Sequence, residues 1–289
     1  MPPPTRRVAC RLTVTYAGFE GESDLLEDLH KEGRAGEEVG MDLYANGPLL
    51  MYWTHSLKAP WQTESWRQQM ARQLRRNQYL SMIENRWVST ESEFIDLAWW
   101  DRSATGTPVA ADSGLAVVLG VDAAVKRDSA AVVACGFERE VKKVRLAAHR
   151  IFQPSPDEPL DIEETLEEAV QDFCRRFDVR EVRFDPWQFQ RSAQTLTKSG
   201  VPMEEFPQSV PNLTAASQNL YELLRGGNLL AYPDEDIRRA FGHAVAKETA
   251  RGWRIAKEKA AHKIDVVVAL AMAALGATQK LDRPEIFLL

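Results

Sequence analysis

One stretch limits the folds open to this chain more than any other: LAVVLGVDAAVKRDSAAVVAC, residues 115–135. Two short apolar runs, each of strand length and rich in valine, flank a polar hinge. The first run ends on a carboxylate, Asp122, and a second carboxylate, Asp128, lies within the hinge. A strand-end aspartate is an ordinary turn former. A polar hairpin therefore explains the stretch as well as a strand that presents charge to something bound at its end.

The segments after residue 135 favour a layered fold. KKVRLAAHRIFQ reads as a third strand. DIEETLEEAVQDFCRRF, residues 161–177, has helical periodicity and an acidic first turn that suits the helix dipole. REVRFD is a short strand ending on Asp185, PWQFQRSAQTLTKSG a helix closed by Gly200, and VPMEEF another strand. NLTAASQNLYELLRGG is a helix with Asn212 or Thr214 as its cap and Gly226 as its stop. IRRAFGHAVAKET is predicted helical, GWRIAK a strand, and about His262 to Ala277 a final apolar helix, too short to span a bilayer. Strands come first and then alternate with helices, so the expected fold class is α/β, a sheet covered by helices.

Residues 1–110 have a different texture. A strand is predicted in TRRVACRLTVTYAGFEGES, a helix at SDLLEDLHKEG, a loop at RAGEEVGMD, a strand at MYWTHSL, and a charged helical stretch over WQTESWRQQMARQLRRNQYLSMIENRW. The small, polar residues 101–114 (DRSATGTPVAADSG) read as a linker. The expected organisation is a first segment, 1–110, a main domain, 111–280, and a tail, 281–289. The chain has 289 residues and a net charge of −6, which argues against a uniformly basic nucleic-acid coat without excluding local basic strips. Its three cysteines are too few and too scattered for a disulfide framework or a zinc site. The opening MPPPTRRVACRL lacks the apolar core of a signal peptide, and a reducing cytosol is the expected compartment.

Three aspartates stand out. Asp122 and Asp185 end strands, and in open α/β sheets sites form at the carboxyl ends of strands. Asp265 enters the apolar helix KIDVVVALAMAAL, where an unpaired carboxylate costs several kcal/mol. Each has a plain alternative: a turn for Asp122, an Asp-Pro turn for Asp185, and a cap or a pair with Lys259 or Lys263 for Asp265. Asp128 follows Lys126 and Arg127 and reads as a solvated loop residue. Just upstream of Asp265, KETARGWRIAKEKAAHK carries Lys247, Arg251, Arg254, Lys257, Lys259 and Lys263, either a phosphate-neutralising strip or a solvated face interleaved with Glu248 and Glu258. His262 could donate to a phosphate, although a lone histidine is more often structural. Trp187 and Trp253 are expected in the core. Arg67, Arg72, Arg75, Arg76 and Arg86 are expected on an exposed helical face of the first segment.

GVDAAVKRDSAAVV, VRFDPWQF, GVPMEEFPQSVPNLTAASQNLYELLRGGNLLAYPD and WRIAKEKAAHKIDVVVALAMAA, taken in order, resemble the nuclease domain of phage terminase large subunits. TYAGFEGESDLLEDL resembles the segment joining the ATPase domain of that family to its nuclease. The resemblance implies an RNase H-like mixed sheet flanked by helices, preceded by a smaller ATPase-derived remnant and linker. It implies a metal-dependent endonuclease that cuts concatemeric viral DNA with little sequence specificity. Asp122, Asp185 and Asp265, with Asp128 as a further position, would hold two Mg²⁺ or Mn²⁺ ions for phosphodiester hydrolysis. Lys257 would contact the phosphate or transition state, by similarity to a lysine that precedes the family's final aspartate. Double-stranded DNA is the implied partner, with the small terminase subunit and portal as further ones. A homo-oligomer is implied only in the assembled motor, the compartment is the cytoplasm of an infected bacterium, and no membrane is involved. The phosphate-cradling GxxxxGK[ST] does not occur, so no ATP hydrolysis is expected, and TVTY at 13–16 could be the remnant of a coupling strand. The chain is expected to be a truncated form, a split reading frame or a degraded prophage copy. Two rival readings stay open: a non-catalytic docking module of the motor, and another RNase H-like enzyme such as a junction resolvase or integrase-type transferase.

Overall fold

A computed structural model describes residues 10–18, 23–57, 59–88, 91–111, 113–123, 129–153, 162–249, 252–259 and 262–281. The chain divides into two compact units, Met1–Ser92 and Glu93–Leu289.

The first unit opens on α1 (Asp24–Arg34), whose N-terminus is capped by the Ser23 hydroxyl accepting from the Leu26 N–H. A three-stranded antiparallel meander follows: β1 (Glu37–Gly40), β2 (Leu43–Asn46) and β3 (Leu49–Tyr52). The sequence predicts a loop where β1 forms and a strand among residues that, from 10 to 18, have no regular structure. Pairing with β2 creates β1, a tertiary effect that its polar sequence EEVG does not announce. The charged stretch divides into α2 (Glu64–Gln73) and α3 (Arg76–Met82), with Leu74 and Arg75 extended between them. Arg75 is therefore not on an exposed helical face. It is 8% exposed and donates to the Ser92 hydroxyl at 2.9 Å. Arg67, Arg72, Arg76 and Arg86 are exposed, and Arg67 and Arg86 pair with Glu84.

After β4 (Glu91–Glu93) and α4 (Leu97–Ser103), the second unit is built on a six-stranded mixed sheet. Its strands are β5 (Ala116–Asp122), β6 (Ala130–Glu138), β7 (Lys143–Phe152), β8 (Asp178–Phe184), β9 (Met203–Glu205) and β10 (Leu229–Leu230), in the order β10-β7-β6-β5-β8-β9. β5, β6 and β7 are antiparallel neighbours, whereas β8 and β9 continue parallel to β5. The helices are α5 (Ile162–Arg176), α6 (Pro186–Lys198), α7 (Val210–Arg225), α8 (Glu235–Gly242) and α9 (Asp265–Gly276).

Alternation along the strands makes two cores. Val117, Leu119 and Val121 pack with Leu166, Phe173 and Phe189 from α5 and α6 on one face. Ala131, Val133 and Cys135 pack with α7, α8 and α9 on the other. α9 is apolar all round, as a helix enclosed by protein must be.

One predicted helix is overturned. IRRAFGHAVAKET is helical only as far as α8, after which β11 (Ala244–Thr249) pairs antiparallel with β12 (Gly252–Lys257). Ala244 and Ala246 are buried while Val245 and Lys247 are more exposed, a period of two that follows a helical period of 3.6 without a break in composition. Among the described residues no helix is long and apolar enough to cross a membrane.

Candidate metal centre

The carboxylates lie on the face of the sheet covered by α9. Since Leu119 and Val121 belong to the α5/α6 core, Val118, Gly120 and Asp122 point the opposite way. On β8, Val182 and Phe184 point to the α5/α6 core, which turns Glu181, Arg183 and the following Asp185 towards α9. Val121 pairs with Phe184 in parallel register, so Asp122 and Asp185 leave adjacent strands at the same end of the sheet.

Gly120 decides where α9 sits. A Cβ at that position would stand 2.1 Å from the carbonyl oxygen of Ala269, so only glycine lets the helix backbone ride on the strand there. Farther along, a Cβ on Gly276 would stand 2.5 Å from Val118, so α9 runs antiparallel to β5. Asp265 precedes Ala269 by one helical turn, about 6 Å. Asp122 follows Gly120 by two strand residues, about 6.6 Å. The two steps match, and Asp265 comes over Asp122.

Charge interactions agree with this placement. Burial is the main reason that the Asp122 carboxyl is raised from 3.8 to about 7, and the Asp265 charge is the next. Asp185 adds to the rise, while a hydrogen bond from Gln208 Nε2 at 2.8 Å and the Lys257 ammonium oppose it. Asp265 accepts a hydrogen bond from the Ser129 hydroxyl. Asp265 is in the first turn of α9 but makes no side-chain cap, the N-cap position being Ile264. Asp185 caps α6, accepting from the Trp187 N–H at 3.4 Å, with Pro186 in the first helical turn.

Among the described residues no group of three or more His, Cys, Asp or Glu side chains is arranged so that it could hold a metal ion. The donor chemistry nonetheless suits a hard divalent cation. At Asp122 the Asp265 and Asp185 charges work against the Lys257 ammonium, and the raised carboxyl expresses an excess of negative charge that a bound cation would reverse.

The basic strip is divided by the β11–β12 hairpin. Lys257 shares a face of β12 with buried Trp253 and Ile255 and reaches the field of Asp122. Lys247 and Arg254 are cross-strand partners on the other face. Lys259 lies exposed beyond the hairpin, and Lys263 lines a cavity beside Asp265. Asp128 and Arg251 lie outside the described residues. Trp253 is 5% exposed, as expected of a core residue, but Trp187 is 88% exposed because it opens α6 on the solvent side of Asp185.

Gln208 and Ser129 are not singled out by the sequence. Ser129 becomes legible only through strand pairing: it stands two residues before Ala131, the partner of Asp122, and so on the same face. Gln208 lies between β9 and α7, in a segment whose pattern carries no information on distance to Asp122.

Residues 160–280 match the family model of the terminase large subunit, endonuclease domain. No curated protein matches the chain at a significant level of sequence similarity. Among solved structures, the large terminase of bacteriophage HK97 is similar at a TM-score of 0.57 and 18% identity, over 74% of this chain and 51% of that one. The large terminase of a thermophilic bacteriophage is similar at 0.52 and 13% identity, over 72% and 51%. The chain thus spans about half the length of these proteins and shares their fold, the RNase H-like mixed sheet flanked by helices.

Proposed function

We propose that this chain, whose residues 160–280 match the terminase large-subunit endonuclease domain, is a divalent-metal-dependent endodeoxyribonuclease that cuts concatemeric phage DNA with little sequence specificity during packaging. The observation that carries the proposal is the seating of α9 on Gly120, which brings Asp265 over Asp122 beside Asp185.

In this reading Asp122, Asp185 and Asp265 hold Mg²⁺ or Mn²⁺, with Asp128 as a candidate fourth oxygen donor. Two such ions, when bound, supply an activated water and stabilise the leaving oxygen of an in-line phosphodiester displacement. The protein's own work is positional. Gln208 holds the Asp122 carboxylate through one oxygen, and Ser129 holds that of Asp265, so the carboxylates are oriented before a cation arrives. Lys257 offsets negative charge at Asp122 and is the candidate contact for the phosphate as charge builds on it. Lys247, Arg251, Arg254, Lys259 and Lys263 are candidates for neutralising backbone phosphates. Contacts to phosphates position DNA without reading its bases, which fits weak sequence preference. The packaging motor's small subunit and portal remain the proposed protein partners, and the host cytoplasm the proposed compartment.

Nicking of supercoiled plasmid in Mg²⁺ or Mn²⁺ tests the proposal. Wild type is expected to nick and then linearise the plasmid, and Asp122→Ala and Asp265→Ala to lose about 10²–10³-fold in rate, the scale on which removing a charge-stabilising group acts. No nicking by wild type, or equal nicking by the variants, would sink the assignment.

A further inference from the structure

A second feature borders the carboxylates and is not used by them. A cavity of about 170 Å³ opens between the end of β7, α8 and the segment leading into α9, with Asp265 and Ser129 in one wall. Ligand pockets usually run to ~300–1,000 Å³, so this one suits a small group.

Its polar lining is Ser129, Gln153, Arg239, His243, His262 and Lys263, with the carboxylates Asp236 and Asp265. The two imidazoles are stacked, 3.9 Å between ring centres and 15° from parallel. His262 Nδ1 is buried without a hydrogen-bond partner, its neighbouring carboxylate Glu258 lying 3.4 Å away. Arg239 is held at 2.9 Å by Asp236, which fixes the guanidinium at the rim. An imidazole carries an N–H in either tautomer, and Arg and Lys carry only donors. The cavity is thus lined by N–H donors contributed by five side chains, against two lining carboxylates, of which one belongs to the candidate metal centre, and Glu258 beside His262.

The place of the cavity along the sheet gives its meaning. β6 begins and β7 ends at the edge where β5 and β8 present Asp122 and Asp185. Ile151 near the end of β7 lines the cavity, two strands from β5. At ~4.8 Å per strand that is about 10 Å, of the order of one or two nucleotide spacings along a DNA strand.

We propose that this cavity seats a backbone phosphate of the strand being cut, one or two nucleotides from the scissile phosphodiester, and so fixes the register of that strand over Asp122, Asp185 and Asp265. The ligand is a phosphodiester, recognised through Arg239, His243, His262 and Lys263. The proposal rests on the nuclease reading above for its substrate, but its test does not depend on cutting.

The experiment measures binding in Ca²⁺ of a duplex trimmed to the length of the protein's footprint, which leaves one register, with a single neutral methylphosphonate placed in turn at each backbone position. Wild type is expected to lose about tenfold in affinity at one position per strand, the scale of one charge-assisted contact. Arg239→Gln/His262→Gln is expected to bind the unmodified duplex about tenfold more weakly, to be indifferent to methylphosphonate at that position, and to show a salt slope lower by about one. Arg239→Gln alone, at an exposed side chain, serves if the double variant melts early. In Mg²⁺ the cut should map one or two nucleotides from the sensitive position. Persistence of the wild-type methylphosphonate profile in the variants overturns the proposal, as does a sensitive position remote from the cut. Failure of the nuclease reading would instead appear as wild type that never cuts while its binding profile still responds to Arg239→Gln.

Discussion

The two faces of the central sheet come from the same strands and could hardly differ more. Towards α5 and α6, β5 and β8 present Val117, Leu119, Val121, Val182 and Phe184, all buried in hydrocarbon. Towards α9 the intervening positions are Val118, Gly120, Asp122, Glu181, Arg183 and Asp185. Glu181 and Arg183 pair at 2.5 Å, and Lys280 and Gln279 from the chain beyond α9 join them. The first face is apolar and close-packed, and its contribution is stability. On the second face the buried charges at the middle of β8 are paired with opposite charges, but those at the strand ends are of one sign. At Asp122 the charges of Asp265 and Asp185 together outweigh that of Lys257. The candidate site is the place where like charges meet.

The sharpest way to break that contrast is to substitute neighbouring positions of β5 that point to opposite faces. Gly120→Ala drives a methyl into the Ala269 carbonyl and must displace α9. It is expected to cost at least ~3 kcal/mol in urea unfolding and to abolish metal-dependent nicking even where the protein remains folded. Leu119→Ala removes a fully buried side chain on the other face. It is expected to cost a similar ~2–5 kcal/mol yet to leave metal affinity within about twofold. Equal loss of the site in both would show that the faces are not functionally separate.

A smaller effect concerns stability against pH. Asp122 titrates near 7 in the folded chain and near 3.8 when unfolded, so the native state binds the extra proton between those values. In the absence of divalent cations, the stabilising effect of the neutral carboxyl is fully present below about pH 4 and is lost as pH rises through about 7. Asp122→Asn, neutral at every pH, should therefore stabilise the fold at pH 8, by on the order of 4 kcal/mol at most and seen as a higher Tm, and make little difference at pH 4. Thermal melts in EDTA check it. A variant less stable than wild type at pH 8 would mean that the Gln208 hydrogen bond and Lys257 outweigh burial and the neighbouring carboxylates.

How much of this is legible in the sequence depends on the distance over which each feature is determined. β5 and β6, the helix entered by Asp265, and Asp122 and Asp185 at strand ends follow from local patterns of period 2 and 3.6. β11 does not: HAVAKET continues a helical composition, and only its pairing with GWRIAK makes it a strand. Arg75 looks like one arginine among several until the break between α2 and α3 buries it. Trp187 looks like a core residue because the sequence does not show which side of α6 meets solvent. Gln208 and Ser129 are invisible for a deeper reason, since their roles depend on contacts with residues 86 and 136 positions away in sequence, respectively. Gly120 is readable as a glycine in a strand, but the helix that requires it is about 150 residues downstream.

The central claim is that α9, seated on Gly120, brings Asp265 to Asp122 and Asp185 at one cation site. Binding of Mn²⁺, followed by electron paramagnetic resonance at pH 8, tests it most directly in wild type, Asp122→Asn, Asp185→Asn and Asp265→Asn. Each substitution is expected to weaken Mn²⁺ binding at least about tenfold, with Asp122→Asn the most severe and all four proteins folded. Wild-type affinity in Asp265→Asn, with the other two impaired, would contradict the claim, because it would leave α9 with no part in the site.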